Sequence, residues 1–162
     1  MEKKNAGFTL IEVLIVIAII GIAAAVAVPN FLSSLPGWRT KAAATDLFSN
    51  LQNAKMLAIR KGQNVSVSFA GNSYTVSFIN KTVQLSEYKS GVEFRGPAPE
   101  YRTVDVSPLT FNSRGMLIST EGYAYFSSGD VADSDSDKIY YRAGATTAGV
   151  VQMQKKEGTE WK

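Results

Sequence analysis

Residues 8 to 28 form an apolar run that contains a single ionisable side chain, Glu12, placed near its start. Apolar along its whole length, the run has no polar face to offer water, and as a helix it is long enough to cross about 30 Å of hydrocarbon. Glu12 is the costly exception. An ionisable group at the centre of a bilayer costs roughly 2.5 to 3.5 kcal/mol on insertion scales, so its presence calls for a cationic partner or a function.

The residues ahead of the run are Lys3, Lys4, Asn5, Ala6 and Gly7, with only Glu2 opposing the two lysines. A basic start holds that end on the cytoplasmic side. Gly7 has no Cβ, which lets an extended backbone enter a protease site closely. Lys3 to Gly7 followed by Phe8, Thr9, Leu10, Ile11, Glu12 and Val13 resembles the class III signal of type IV prepilins and pseudopilins. The resemblance implies that prepilin peptidase cuts after Gly7 and methylates the new amine on Phe8. It also implies that Glu12 pairs with that amine, in its own or a neighbouring subunit, as filaments of pilins or pseudopilins assemble on an inner-membrane platform. Two other readings explain less. A secretory signal peptide would use Ala25-Val26-Ala27 as its small-residue cleavage site, but its apolar core is shorter and lacks an embedded acid. A plain anchor explains the length and leaves Gly7, Phe8 and Glu12 as coincidence.

The expected organisation is therefore a leader at 1–7, a transmembrane assembly helix at 8–28 and an extracytoplasmic head at 29–162. Pro29 lacks a backbone donor, which predicts a bend or local loss of helix there, and Pro36-Gly37 is a second breaker pair. Leu47, Leu51, Ala54 and Ala58 recur at helical spacing among the polar positions Asp46, Asn50, Asn53 and Lys55, predicting an amphipathic helix over about 40–60. Arg60 and Lys61 complement its dipole and Gly62 ends it.

Beyond Gly62 the pattern alternates. Residues 65–69 and 74–78, separated by Ala70-Gly71-Asn72-Ser73, predict a β-hairpin. Further strands are expected at 82–85, 92–94, 109–111, 123–127, 138–142 and 150–154, with Tyr140 and Tyr141 as exposed sheet residues. The fold class is α+β: a long N-terminal helix on a small antiparallel β-sheet head, which the resemblance makes type IV pilin-like. Residues 109–115, 149–153 and 158–161 are similar to the H-type minor pseudopilins of type II secretion and their minor-pilin relatives.

Catalysis is not expected. The chain has no cysteine and no histidine, which removes thiol nucleophiles, imidazole bases, disulfides and the common zinc ligand sets. Ser113 in Ser113-Arg114-Gly115 has no evident activating base and reads as a turn. A net charge of +3 is too small to argue for nucleic acid. Some relatives bind DNA through arginines after a glycine like Gly149, but Val150, Val151 and Gln152 follow here. Lys155 and Lys156 read as a solvated strand end. No cofactor is expected. Asp133, Asp135 and Asp137 put oxygen donors at alternating positions, which suits a hard cation such as calcium. The EF-hand frame fails, however, and a solvated loop is the competing reading. Two functions compete: a structural minor subunit of a type II secretion pseudopilus or type IV pilus, and a pilus-surface module binding DNA, a secreted substrate or a surface.

Overall fold

The computed structural model describes residues 8–89, 91–132 and 138–162. Its first element is one helix, α1 (Leu10–Lys61). The chain divides into two compact units, residues up to Leu35 and Pro36–Lys162.

Pro29 and Pro36 both lie inside the helix, so helical structure is not lost at Pro29, and the apolar and amphipathic stretches form the one long helix expected. An interior proline costs about 3 kcal/mol against alanine, but long helical flanks resist breaking at one missing bond. Side chains around Pro29 also engage neighbouring carbonyls: Asn30 Nδ2 donates to Val26 O at 3.2 Å, and the Ser33 and Ser34 hydroxyls donate to Asn30 O at 2.9 and 3.0 Å. Such side-chain bonds help prolines persist in apolar helices.

The end of α1 follows the sequence. Gly62 takes φ 64°, and Gln63 N–H reaches back to Ala58 O at 3.3 Å, closing a Schellman-type turn that glycine adopts without strain.

Among the described residues nine strands follow: β1 (Val65–Ala70), β2 (Ser73–Val76), β3 (Lys81–Gln84), β4 (Val92–Phe94), β5 (Leu109–Phe111), β6 (Gly122–Ser128), β7 (Tyr141–Ala145), β8 (Val151–Glu157) and β9 (Glu160–Trp161). They form two antiparallel sheets rather than one, ordered β3-β2-β1-β5 and β4-β6-β7-β8-β9. The expected hairpin is β1–β2, with Val67 opposite Val76 and Phe69 opposite Tyr74. Strand β7 begins three residues later than expected, and a 3₁₀ turn at Leu85–Tyr88 takes over from β3.

Both sheets and the second half of α1 share one core. The helix contributes Ala43, Ala44, Leu47, Leu51, Ala54 and Ala58, the first sheet Val65, Val67, Val76, Leu109 and Phe111, and the second Phe94, Ala124, Phe126, Ala143 and Ala145. Phe69 meets Phe94 edge to face across the two sheets with ring centroids 5.7 Å apart, and Phe94 packs at a tilt on Phe126 of its own sheet at 5.0 Å. Tyr140 and Tyr141 are buried, against expectation. Tyr141 stands opposite Phe126, and directly opposed residues project to the same face, so the shifted start of β7 turns it into the core.

The other face of the second sheet differs in kind. Tyr125, Arg142 and Gln154 stand opposite one another in register, as do Tyr123, Gly144 and Gln152. A Cβ on Gly144 would collide with Gly122 O and with Tyr123, so only glycine fits beneath that ring. The chain before β5 lies alongside: Tyr125 N–H donates to Thr103 O at 2.9 Å and Asp105 N–H to Tyr123 O at 2.9 Å.

Candidate functional site

The N-terminal half of α1 is the first candidate. Among the described residues nothing covers its large apolar side chains: Phe8 is 84% exposed and Leu10 81%, and none of the most apolar window is buried. By length and composition this helix is able to cross a membrane.

Thr9 and Glu12 open the helix together. The Glu12 N–H donates to Thr9 Oγ1 at 3.3 Å and the Val13 N–H to Thr9 O at 3.3 Å, so Thr9 is the N-cap and Glu12 stands three residues on. This is the spacing of a capping box, a local role that the sequence reading did not weigh. An acid in the first turn gains about 0.3 to 1 kcal/mol from the helix dipole. That is smaller than the roughly 2.5 to 3.5 kcal/mol cost of an ionisable group at the bilayer centre. Phe8 immediately precedes the cap and is almost fully exposed.

Gly7 and the three aspartates Asp133, Asp135 and Asp137 lie outside the described residues. Among the described residues there is no cluster of potential metal ligands. Ser113-Arg114-Gly115 lies in a tight turn closed by Gly115 N–H to Asn112 O at 2.8 Å, with Asn112 Oδ1 accepting from Arg114 and Met116 N–H. Lys155 and Lys156 are half-buried within β8 rather than at a free strand end.

A buried polar cluster in the head escaped the sequence reading. Asn50, expected on the polar side of the helix, is 6% exposed and its Nδ2 lies 2.8 Å from Tyr74 Oη. Tyr74 donates to Asp46 Oδ2 at 2.6 Å, and Asn50 Nδ2 reaches the same carboxylate at 3.0 Å. Burial first, then the Asp46 carboxylate, pushes the Tyr74 phenol well above its ordinary range; Tyr88 is raised by the same causes. Spacing on the helix offered one signal, since Asp46 and Asn50 are four apart. Their partner on β2 was not legible.

A membrane-capable apolar helix whose amphipathic continuation packs on antiparallel sheets defines a pilin-type subunit. The prokaryotic N-terminal methylation motif matches residues 3–28, and the family described as type II transport protein GspH matches residues 43–142. The chain belongs to the GspH family, whose members are structural pilin and pseudopilin subunits rather than enzymes. Two fimbrial proteins of Pseudomonas aeruginosa are 33% identical over 93 residues, covering 56% of this chain and 60% of theirs. The type IV major pilin protein PilA of Myxococcus xanthus is 52% identical over 46 residues, covering 28% of this chain and 21% of PilA. The chain thus spans about 60% of the length of the fimbrial proteins and about a fifth of PilA. The crystal structure of the type IV minor pilin FimU from Pseudomonas aeruginosa superimposes with a TM-score of 0.52 over 76% of this chain and 92% of FimU. At 16% identity that likeness concerns the fold.

Proposed function

We propose that this chain is a minor structural subunit of a pilin-type filament, either a type II secretion pseudopilus or a type IV pilus, anchored in the inner membrane with its head outside the cytoplasm. One observation carries the reading: the methylation motif covers residues 3–28, where the described part of the helix is apolar, has no buried residue and carries one carboxylate, Glu12. Prepilin peptidase removes residues 1–7 and methylates the amine of Phe8. The ammonium so formed is the cation that Glu12 lacks, and their pairing between subunits sets the register in which the apolar helices pack. Pairing a charge within a low-dielectric medium gives specificity, because a misregistered neighbour leaves two unpaired charges. Van der Waals contact between the helices supplies the attraction.

Processing tests the proposal. Intact mass and N-terminal sequencing of the membrane-extracted protein should show N-methylphenylalanine from Phe8 as the first residue. A mature terminus at Val28 would establish a secretory signal peptide and overturn it.

A further inference from the structure

The polar face of the second sheet carries a cleft of about 380 Å³, with Pro97, Pro99, Tyr125, Arg142, Lys156 and Trp161 in its lining. That volume lies in the range of small-ligand sites. Arg142 is the fixed point. Its guanidinium carbon lies 4.4 Å from the Tyr123 ring centroid and 4.8 Å from that of Trp161, and its Nε donates to Gln154 Oε1 at 2.8 Å. Two aromatic rings and one amide therefore hold the charge without neutralising it.

The other cations differ in what they face. Arg102 is engaged by Glu100 at 2.5 Å and Asp105 at 3.5 Å. Among the described residues, no carboxylate lies within ion-pair distance of Arg142 or Lys156. Lys156 contacts only the edge of an aromatic interaction, 6.0 Å from the Tyr140 ring centroid. Among the described residues the cleft thus offers two cations with no carboxylate at ion-pair distance, one of them a planar fork held in place, beside apolar prolines and Trp161. A fork of this kind matches a carboxylate bidentately and loses little freedom on binding because it is already held.

We propose that this cleft is a docking site for an acidic peptide segment of a partner protein, with side-chain carboxylates on Arg142 and Lys156 and adjacent backbone against Trp161 and the prolines. Nucleic acid fits less well. The Glu100 carboxylate stands in the cleft wall and engages Arg102, and the formal charge of the whole chain is only +3, so there is no extended basic track for a continuous polyanion. The proposal does not depend on the filament reading.

Trp161 makes it testable in the full chain held in detergent. Trp38 is the one other tryptophan and is 68% exposed, so a Trp38→Phe background isolates the fluorescence of Trp161. The probe is a peptide of alternating Glu and Ser, acetylated and amidated to remove terminal charges, with its Gln counterpart and an oligothymidylate as comparisons. The Glu peptide should change the Trp161 emission saturably, the Gln peptide should bind at least about tenfold more weakly, and Arg142→Gln should cost about tenfold. Lys156→Gln should weaken binding in the same direction, and it decides the matter should Arg142→Gln lose its near-ultraviolet dichroism. Equal response to the Glu and Gln peptides, no saturation at millimolar peptide, or tighter binding of the oligothymidylate would each overturn the proposal.

Discussion

The two halves of α1 are built from similar apolar residues but meet different surroundings. Between Leu10 and Leu35 no side chain is buried, and Ile11, Leu14, Ile17 and Val28 are each about half exposed or more. Between Thr40 and Ala58, eight residues are buried, and they recur every three or four positions. The first half is apolar on every side, so no single face is selected for a protein core. The second half is apolar on one stripe, which two sheets cover. Total hydrophobicity sends a helix to lipid or to like helices; periodicity sends it to a sheet.

Several variants put strain on that contrast. The largest effect belongs to Glu12. Its replacement by alanine should leave membrane insertion intact while abolishing incorporation into filaments, measured by co-purification with assembled fibres. Normal incorporation would mean that Glu12 serves only as the capping residue its spacing to Thr9 allows.

Equivalent truncations in the two halves should then diverge. Leu47→Ala opens a cavity in a fully buried position and should destabilise the head by about 2 to 5 kcal/mol in chemical denaturation. Leu14→Ala, on the exposed half, should leave the same transition unchanged. Similar losses from both would show that the first half also has a core partner.

The polar groups sharpen the comparison further, since the head half satisfies its acid internally. The phenol of Tyr74 is held protonated in the folded state, and an unfolded tyrosine ionises near about pH 10. Its folded-state value is raised, so its contribution is fully present below that pH and is lost as pH rises beyond it. The denaturation midpoint should fall between about pH 9 and about pH 11, and Tyr74→Phe should flatten the fall. A slope unchanged in the variant would assign the alkaline loss to Tyr88 or the other raised tyrosines.

Removing residues 1–35 should have the smallest effect. The head should retain its cooperative transition and midpoint within about 0.5 kcal/mol, because no described residue of that segment is in its core. A truncated chain with no transition would break the division.

Much of this was legible in the chain itself. A run such as residues 8–28 has one viable conformation in hydrocarbon, since every backbone polar group must be bonded within its own segment. Local chemistry likewise placed the helix stop at Gly62, the β1–β2 hairpin and the strands β4 and β5, whose bounds match the alternation. Periodicity also identified Leu47, Leu51, Ala54 and Ala58 as the inward stripe.

Other features depend on partners distant in sequence. Pro29 looks like a break when its own missing donor is considered alone, yet the helix continues through it on long flanks. Asn50 and Asp46 look solvated until Tyr74 from β2 is set against them. The strands divide into two sheets because one helix stripe and two inner faces close a single core, and no local pattern encodes that choice. Arg142, Tyr123 and Trp161 are separated in the chain and meet only through strand register. Residue type and period are local properties and act wherever the chain lies, whereas pairing across a sheet exists only once folding has brought the strands together.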